Sequence, residues 1–130
     1  MPIELSLLIW STTLFALYVG AQSLLYRKQY GVDHAAGARD GDPAPASPML
    51  GRAERALHNL LETYPVFVAL AVAAVLADRS GWLTQWGAQL YFWSRIIYLP
   101  LYLTGVKYLR SLVWLVSAIG LMMMFFGLVL

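Results

Sequence analysis

Uncharged, largely apolar stretches divide the chain into four lengths. The first runs from Leu5 to Tyr26 and stops at Arg27 and Lys28, which suffices for one crossing at roughly 20 helical residues per bilayer. No basic residue precedes it, and no small-residue cleavage pattern follows at Tyr26-Arg27-Lys28-Gln29, so it reads as a retained helix and not a secretory leader. The last stretch, Ser111 to Leu130, is uncharged to its end and is entered through Lys107 and Arg110. Between them, Thr63 to Ala77 and Ser80 to Ser94 hold only about 15 residues each, short of a crossing.

Completing those two crossings carries charge into the membrane. Extension back to Arg52 brings Arg55, His58, Asn59 and Glu62 into the second helix, and extension forward to about Val106 sets Arg95 near the centre of the third. Asp78, Arg79, Ser80 and Gly81 supply the tight turn between them. The pattern predicts an all-α integral membrane protein, a four-transmembrane-helix bundle in one domain over 1–130, with helices at about 4–26, 52–77, 85–107 and 110–130. The connection from Gly31 to Gly51 mixes Gly31, Gly37, Gly41, Pro43, Pro45 and Pro48 with Asp33, Asp40 and Asp42. It is expected to hold little regular structure. His34 stands alone in it, and no metal site is expected.

Composition narrows the function. At 60% hydrophobic and 12% charged, the chain of 130 residues is too oily for an ordinary soluble domain and leaves no length for a large extramembrane one. The absence of cysteine excludes disulfides, thiolate metal sites and a thiol nucleophile of the chain's own, so any sulfur chemistry comes from a bound molecule. A net charge of +2 gives no indication of nucleic-acid binding. Placement says more: Arg27, Lys28, Arg39, Arg52 and Arg55 flank the first connection, Lys107 and Arg110 the third, and Arg79 alone lies opposite. The 27–51 loop and the third connection are therefore expected on the cytoplasmic side and both termini on the other. Trp10, Trp82, Trp86 and Trp93 fall toward that far side as interfacial anchors, Trp114 toward the cytoplasmic end.

The polar residues inside the predicted helices form faces. At 100° per residue, Arg55, Asn59 and Glu62 fall within roughly 60° of one another, and Arg95, Tyr98 and Tyr102 share one face of the third helix. Glu62 and Arg95 sit at similar depth near mid-membrane, where an isolated charge costs several kcal/mol, so they are expected to pair. Such a pair is also what a purely structural clasp requires. Arg52, Arg55, Asn59, Tyr98, Tyr102 and Arg110 lie on the cytoplasmic side of it, and a cluster rich in guanidinium groups calls for an anionic ligand. Pro65 and Pro100 lie inside the second and third helices and offer bends that can widen a cavity.

The string Arg52-Ala-Glu-Arg55-Ala-Leu-His58-Asn59-Leu-Leu-Glu62-Thr-Tyr-Pro65 resembles the second-helix signature of the MAPEG family, the membrane-associated proteins in eicosanoid and glutathione metabolism. Arg95-Ile-Ile-Tyr98-Leu-Pro-Leu-Tyr102 is similar to the family's third-helix pattern, and Arg110-Ser111 to the arginine that opens its fourth. The resemblance implies a homotrimer with glutathione bound between subunits near the cytoplasmic face, and, for a bacterial-type member, residence in the inner membrane. It implies that Arg52, Arg55, His58, Asn59, Glu62, Arg95, Tyr98 and Tyr102 hold glutathione. Arg110, with Lys107 as the alternative cation, then stabilises the thiolate with help from Ser111, against a hydrophobic electrophile arriving from the lipid. His58 stands where prostaglandin-synthesising members carry arginine, so their activity does not transfer. Two other classes fit the residues: a small proton-coupled exporter using Glu62, opposed by the expected nearness of Arg55 and Arg95, and a catalytically silent membrane scaffold.

Overall fold

Three of the helices in the computed structural model, which describes residues 1–41 and 44–130, are long and apolar enough to cross a membrane. These are α1 (Ile3–Tyr30), α3 (Pro48–Leu76) and α5 (Tyr108–Val129). The short α2 (Val32–Ala36) follows α1, and α4 (Trp82–Leu103) lies between α3 and α5. With 22 residues, α4 equals α5 in length; Gln85, Gln89, Ser94 and Arg95 are what lower its apolarity. The chain is an all-helical integral membrane protein.

Helix ends follow local chemistry, and several differ from the pattern reading. α1 continues past Tyr26 to Tyr30, because Arg27 and Lys28 in its last turn complement the negative end of the helix dipole, and it stops at Gly31 with φ +90°. α3 starts four residues before the expected Arg52, for Ser47 is a good N-cap whose Oγ accepts from the Leu50 amide at 3.2 Å, and Pro48 suits the first helical position. α4 runs from Trp82 to Leu103, not to Val106, since the backbone reverses at Gly105, φ +78°. Pro65 and Pro100 sit within continuous helices.

The first connection is more ordered than its glycines and prolines imply. Besides α2, Gln29 brackets it with Nε2 donating to the Pro45 carbonyl at 2.7 Å and Oε1 accepting from the Ser47 amide at 2.6 Å. Tyr30 donates to the Ala44 carbonyl, His34 stacks on Tyr26, and the Arg39 guanidinium lies 4.2 Å from the Tyr26 ring centre. Of the residues read as loop, Asp42 and Pro43 lie outside the described ones.

Packing closes the bundle. α4 and α5 make the closest contact: an added Cβ at Gly87 would stand 2.5 Å from the Gly120 carbonyl oxygen, and one at Gly127 2.9 Å from Leu83 Cβ. Small residues that admit backbone to backbone are how helices bind one another where lipid supplies no hydrophobic drive. Phe67 stacks on Tyr91 at 4.5 Å between α3 and α4, and Tyr18 of α1 donates to the Arg95 carbonyl of α4 at 2.7 Å.

At the end holding both termini, Glu4 is fully buried. Its carboxylate accepts from Ser80 Oγ at 3.0 Å and from Thr84 Oγ1 at 2.5 Å. It thus sits against the first turn of α4, whose unpaired amides and dipole favour an anion. Arg79 Nη1 donates to the Leu128 carbonyl nearby. Replacing Glu4 with alanine removes the acceptor of the Ser80 hydroxyl and leaves Thr84 only the Gly81 carbonyl, and we expect a loss of about 1–3 kcal/mol, read as a lowered thermal midpoint in detergent. An unchanged midpoint would remove this contact from the account of stability.

Candidate functional site

At the opposite end, α3, α4 and α5 leave a cleft of about 270 Å³ lined by Asn59, Tyr98, Tyr102, Arg110, Ser111 and Trp114. Each lining residue has a local reason for its place. Tyr98 and Tyr102 are one turn apart on α4, and their rings meet edge to face at 5.5 Å. Arg110 and Ser111 lie in the first turn of α5, and Trp114 one turn beyond. The Arg110 guanidinium stands over the Tyr102 ring, 4.6 Å from its centre, which holds the head group at the cleft with no acidic partner among the described residues.

The start of α5 adds to this field. Lys107 occupies the cap position without a side-chain hydrogen bond to the helix, so the first-turn amides stay available beside Arg110. Among the described residues the Ser111 hydroxyl makes only a long contact to the Lys107 carbonyl, 3.4 Å, and it is exposed. A cation, helix-terminal amides and a loosely held hydroxyl together favour an anion. Lys107 itself does not line the cleft.

Five residues expected at the site thus come together: Asn59, Tyr98, Tyr102, Arg110 and Ser111. Arg52 does not join them. Its Nη1 donates to the Leu103 carbonyl at 3.2 Å, satisfying the end of α4, and its guanidinium packs where a Cβ at Gly105 would come within 3.1 Å. Arg52 therefore seats the turn that leads into α5. Arg55 folds back over Gly51 and is otherwise exposed. His58 faces a separate shallow depression with Gln22, Glu54, Leu57 and Leu61 between α1 and α3.

The expected Glu62–Arg95 clasp does not form. Glu62 pairs with His58 one turn away, Oε1 to Nε2 3.1 Å, and its side chain is 60% exposed. Arg95 is fully buried and donates from Nη1 to Asn59 Oδ1 at 2.7 Å and from Nη2 to Thr63 Oγ1 at 3.0 Å. Helical geometry decides this: Asn59 and Thr63, four residues apart, bracket the inward direction of α3, while Glu62 points roughly 60° to the other side of Asn59. Among the described residues Glu62 makes no ion pair with Arg55 or Arg95.

Three residues were missed. Thr63 is legible in hindsight as the next position on the Asn59 face. Glu4, just before the first apolar stretch, carried no signal without its partners. Trp114, expected only to lie near the cytoplasmic end, lines the cleft.

With the geometry in view, comparison with known proteins has one positive result. The model of the MAPEG family matches residues 5–130. No curated protein and no solved structure matches the chain. The family match spans nearly the whole chain and includes every element that lines the cleft, and the chain therefore belongs to the MAPEG family.

Proposed function

We propose that this protein is a glutathione-dependent membrane transferase or peroxidase that activates the glutathione thiol against lipophilic electrophiles. The carrying observation is the Arg110 head group held at the cleft by Tyr102, with Ser111 and the open start of α5 beside it. A thiolate a few ångströms from a guanidinium is favoured over the thiol, and the thiolate is the nucleophile. The chain has no cysteine, so the sulfur is the ligand's.

In this reading Asn59, Tyr98 and Tyr102 hold the peptide, Arg110 stabilises the sulfur anion, and Ser111 donates to it. The electrophile enters from the lipid. For a transferase the thiolate attacks the electrophilic carbon, the carbon–sulfur bond forms, and the leaving group departs with the electron pair.

Four crossings and a homotrimer complete the proposal. Roughly 33 Å of helix in α4 matches a hydrocarbon core at 1.5 Å per residue, and Arg95 in its middle is shielded inside the bundle. Glu62, the middle residue of α3, is exposed on a single subunit together with His58 and Arg55. Lipid is a costly environment for that face, so a neighbouring subunit covers it, and Arg55, His58 and Glu62 reach glutathione from there. The excess of basic residues around the first and third connections puts the cleft toward the cytoplasm of the inner membrane.

Purified protein in detergent should retain glutathione in equilibrium dialysis and conjugate it to a generic aryl halide. Retention of glutathione without turnover on any electrophile points instead to a silent scaffold. No retention at all ends the proposal.

A further inference from the structure

Arg95 is expected by resemblance to hold glutathione, yet its side chain is fully buried and does not line the cleft. We propose that Arg95 is a positioning residue that acts on bound glutathione through Asn59, by locking the Asn59 amide as a donor toward the cleft. This rests on the glutathione reading above.

Hydrogen-bond inventory fixes which Asn59 atom faces Arg95. A guanidinium has five N–H donors and no acceptor, so the Asn59 atom that meets Arg95 Nη1 at 2.7 Å is the amide oxygen. The amide NH2 is then turned away from Arg95. Among the described residues it has no partner within the chain and is not a buried atom, and Asn59 lines the cleft. Without Arg95 the amide is free to rotate by half a turn and offer oxygen instead, which repels a carboxylate.

Charge strengthens the effect. Among the described residues no carboxylate pairs with Arg95; the one ion pair is His58–Glu62. Its neighbours are neutral: Asn59, Thr63, and the rings of Tyr91 and Tyr98, whose centres lie 5.7 and 5.0 Å from its Cζ. Among the described residues Arg95 Nε has no partner. A charged donor on the amide oxygen polarises the amide and makes its N–H groups better donors. The buried cation thereby reaches an anionic ligand it never touches, and the group that Asn59 meets is a carboxylate of glutathione.

A double-mutant cycle tests this with glutathione as the titrated ligand. Asn59→Ala should weaken glutathione binding about tenfold or more, the loss typical of a hydrogen bond to a charged group. Arg95→Gln should weaken it to a similar degree, raising KM for glutathione while turnover at saturating glutathione stays near wild type. The double variant should bind no worse than Asn59→Ala alone, because Arg95 works only through that amide. Arg95→Lys keeps a charged donor and should bind glutathione more tightly than Arg95→Gln and within a few-fold of wild type, and the comparison with wild type stands even if the glutamine variant does not fold. Losses that multiply in the double variant, or a lysine variant no better than glutamine, overturn the inference alone. Failure of the wild-type protein to bind glutathione overturns the functional reading and this inference with it.

Discussion

Replacement of Arg110 by alanine is expected to lower turnover about a hundredfold or more while glutathione stays bound. Loss of one preorganised group aimed at developing or resident negative charge costs about 10²–10³ in rate, and here the charge sits on a single sulfur. In the proposed function the peptide end of the ligand is held by Asn59, Tyr98 and Tyr102, which line the cleft and which the substitution leaves in place. Ultraviolet absorbance of the bound thiolate separates the two effects: it should vanish in Arg110→Ala at neutral pH and return as pH rises. Lys107→Ala is the matched control, since that side chain is exposed and outside the cleft. Full activity in Arg110→Ala would sink the assignment of the thiolate-stabilising cation.

The second large effect belongs to packing. Gly120→Leu should separate α4 from α5 and cost about 3 kcal/mol or more, at or beyond the upper end for overpacked interiors. Even a methyl group at this position would stand 2.6 Å from the Gly87 carbonyl oxygen and 2.9 Å from the Tyr91 backbone nitrogen, and backbone cannot step aside as a flexible side chain can. The cleft draws Tyr98 and Tyr102 from one of these helices and Arg110 and Ser111 from the other, so glutathione retention should fall together with the thermal midpoint. Gly20→Leu is the comparison, for nothing lies within 4 Å of a Cβ there. If Gly120→Leu melts with wild type, the close α4–α5 contact is not what holds the cleft in shape.

These expectations differ in how far they could be read from the chain. The apolar stretches ending at Arg27 and beginning at Ser111, the turn at Asp78 to Gly81, and the string from Arg52 to Pro65 were all visible in one dimension, because apolar length and helical spacing are local properties. Asn59, Tyr98, Tyr102, Arg110 and Ser111 were likewise legible. Alternating helix direction puts all five toward the same end of the bundle, and the family pattern marks them. Helix ends were less so: Ser47 and Pro48 read as loop residues until the Ser47 hydroxyl was seen capping the helix.

What spacing leaves open is azimuth. Arg55, Asn59 and Glu62 share a stripe, and the sequence does not say which edge of it turns inward. The bundle turns in the Asn59 edge, so Arg95 finds an amide and a hydroxyl in place of the expected carboxylate, and Glu62 is left outside with His58. The same holds for Glu4, which reaches Ser80 and Thr84 across some eighty positions of chain. By itself the sequence determined that this is a helical membrane protein of the MAPEG family, with cations gathered toward one end. Only the tertiary structure decided which cation faces the cleft, which is buried beneath it and which closes a turn. Helix rotation is set by contacts such as Gly87 against Gly120, made between residues far apart in the chain.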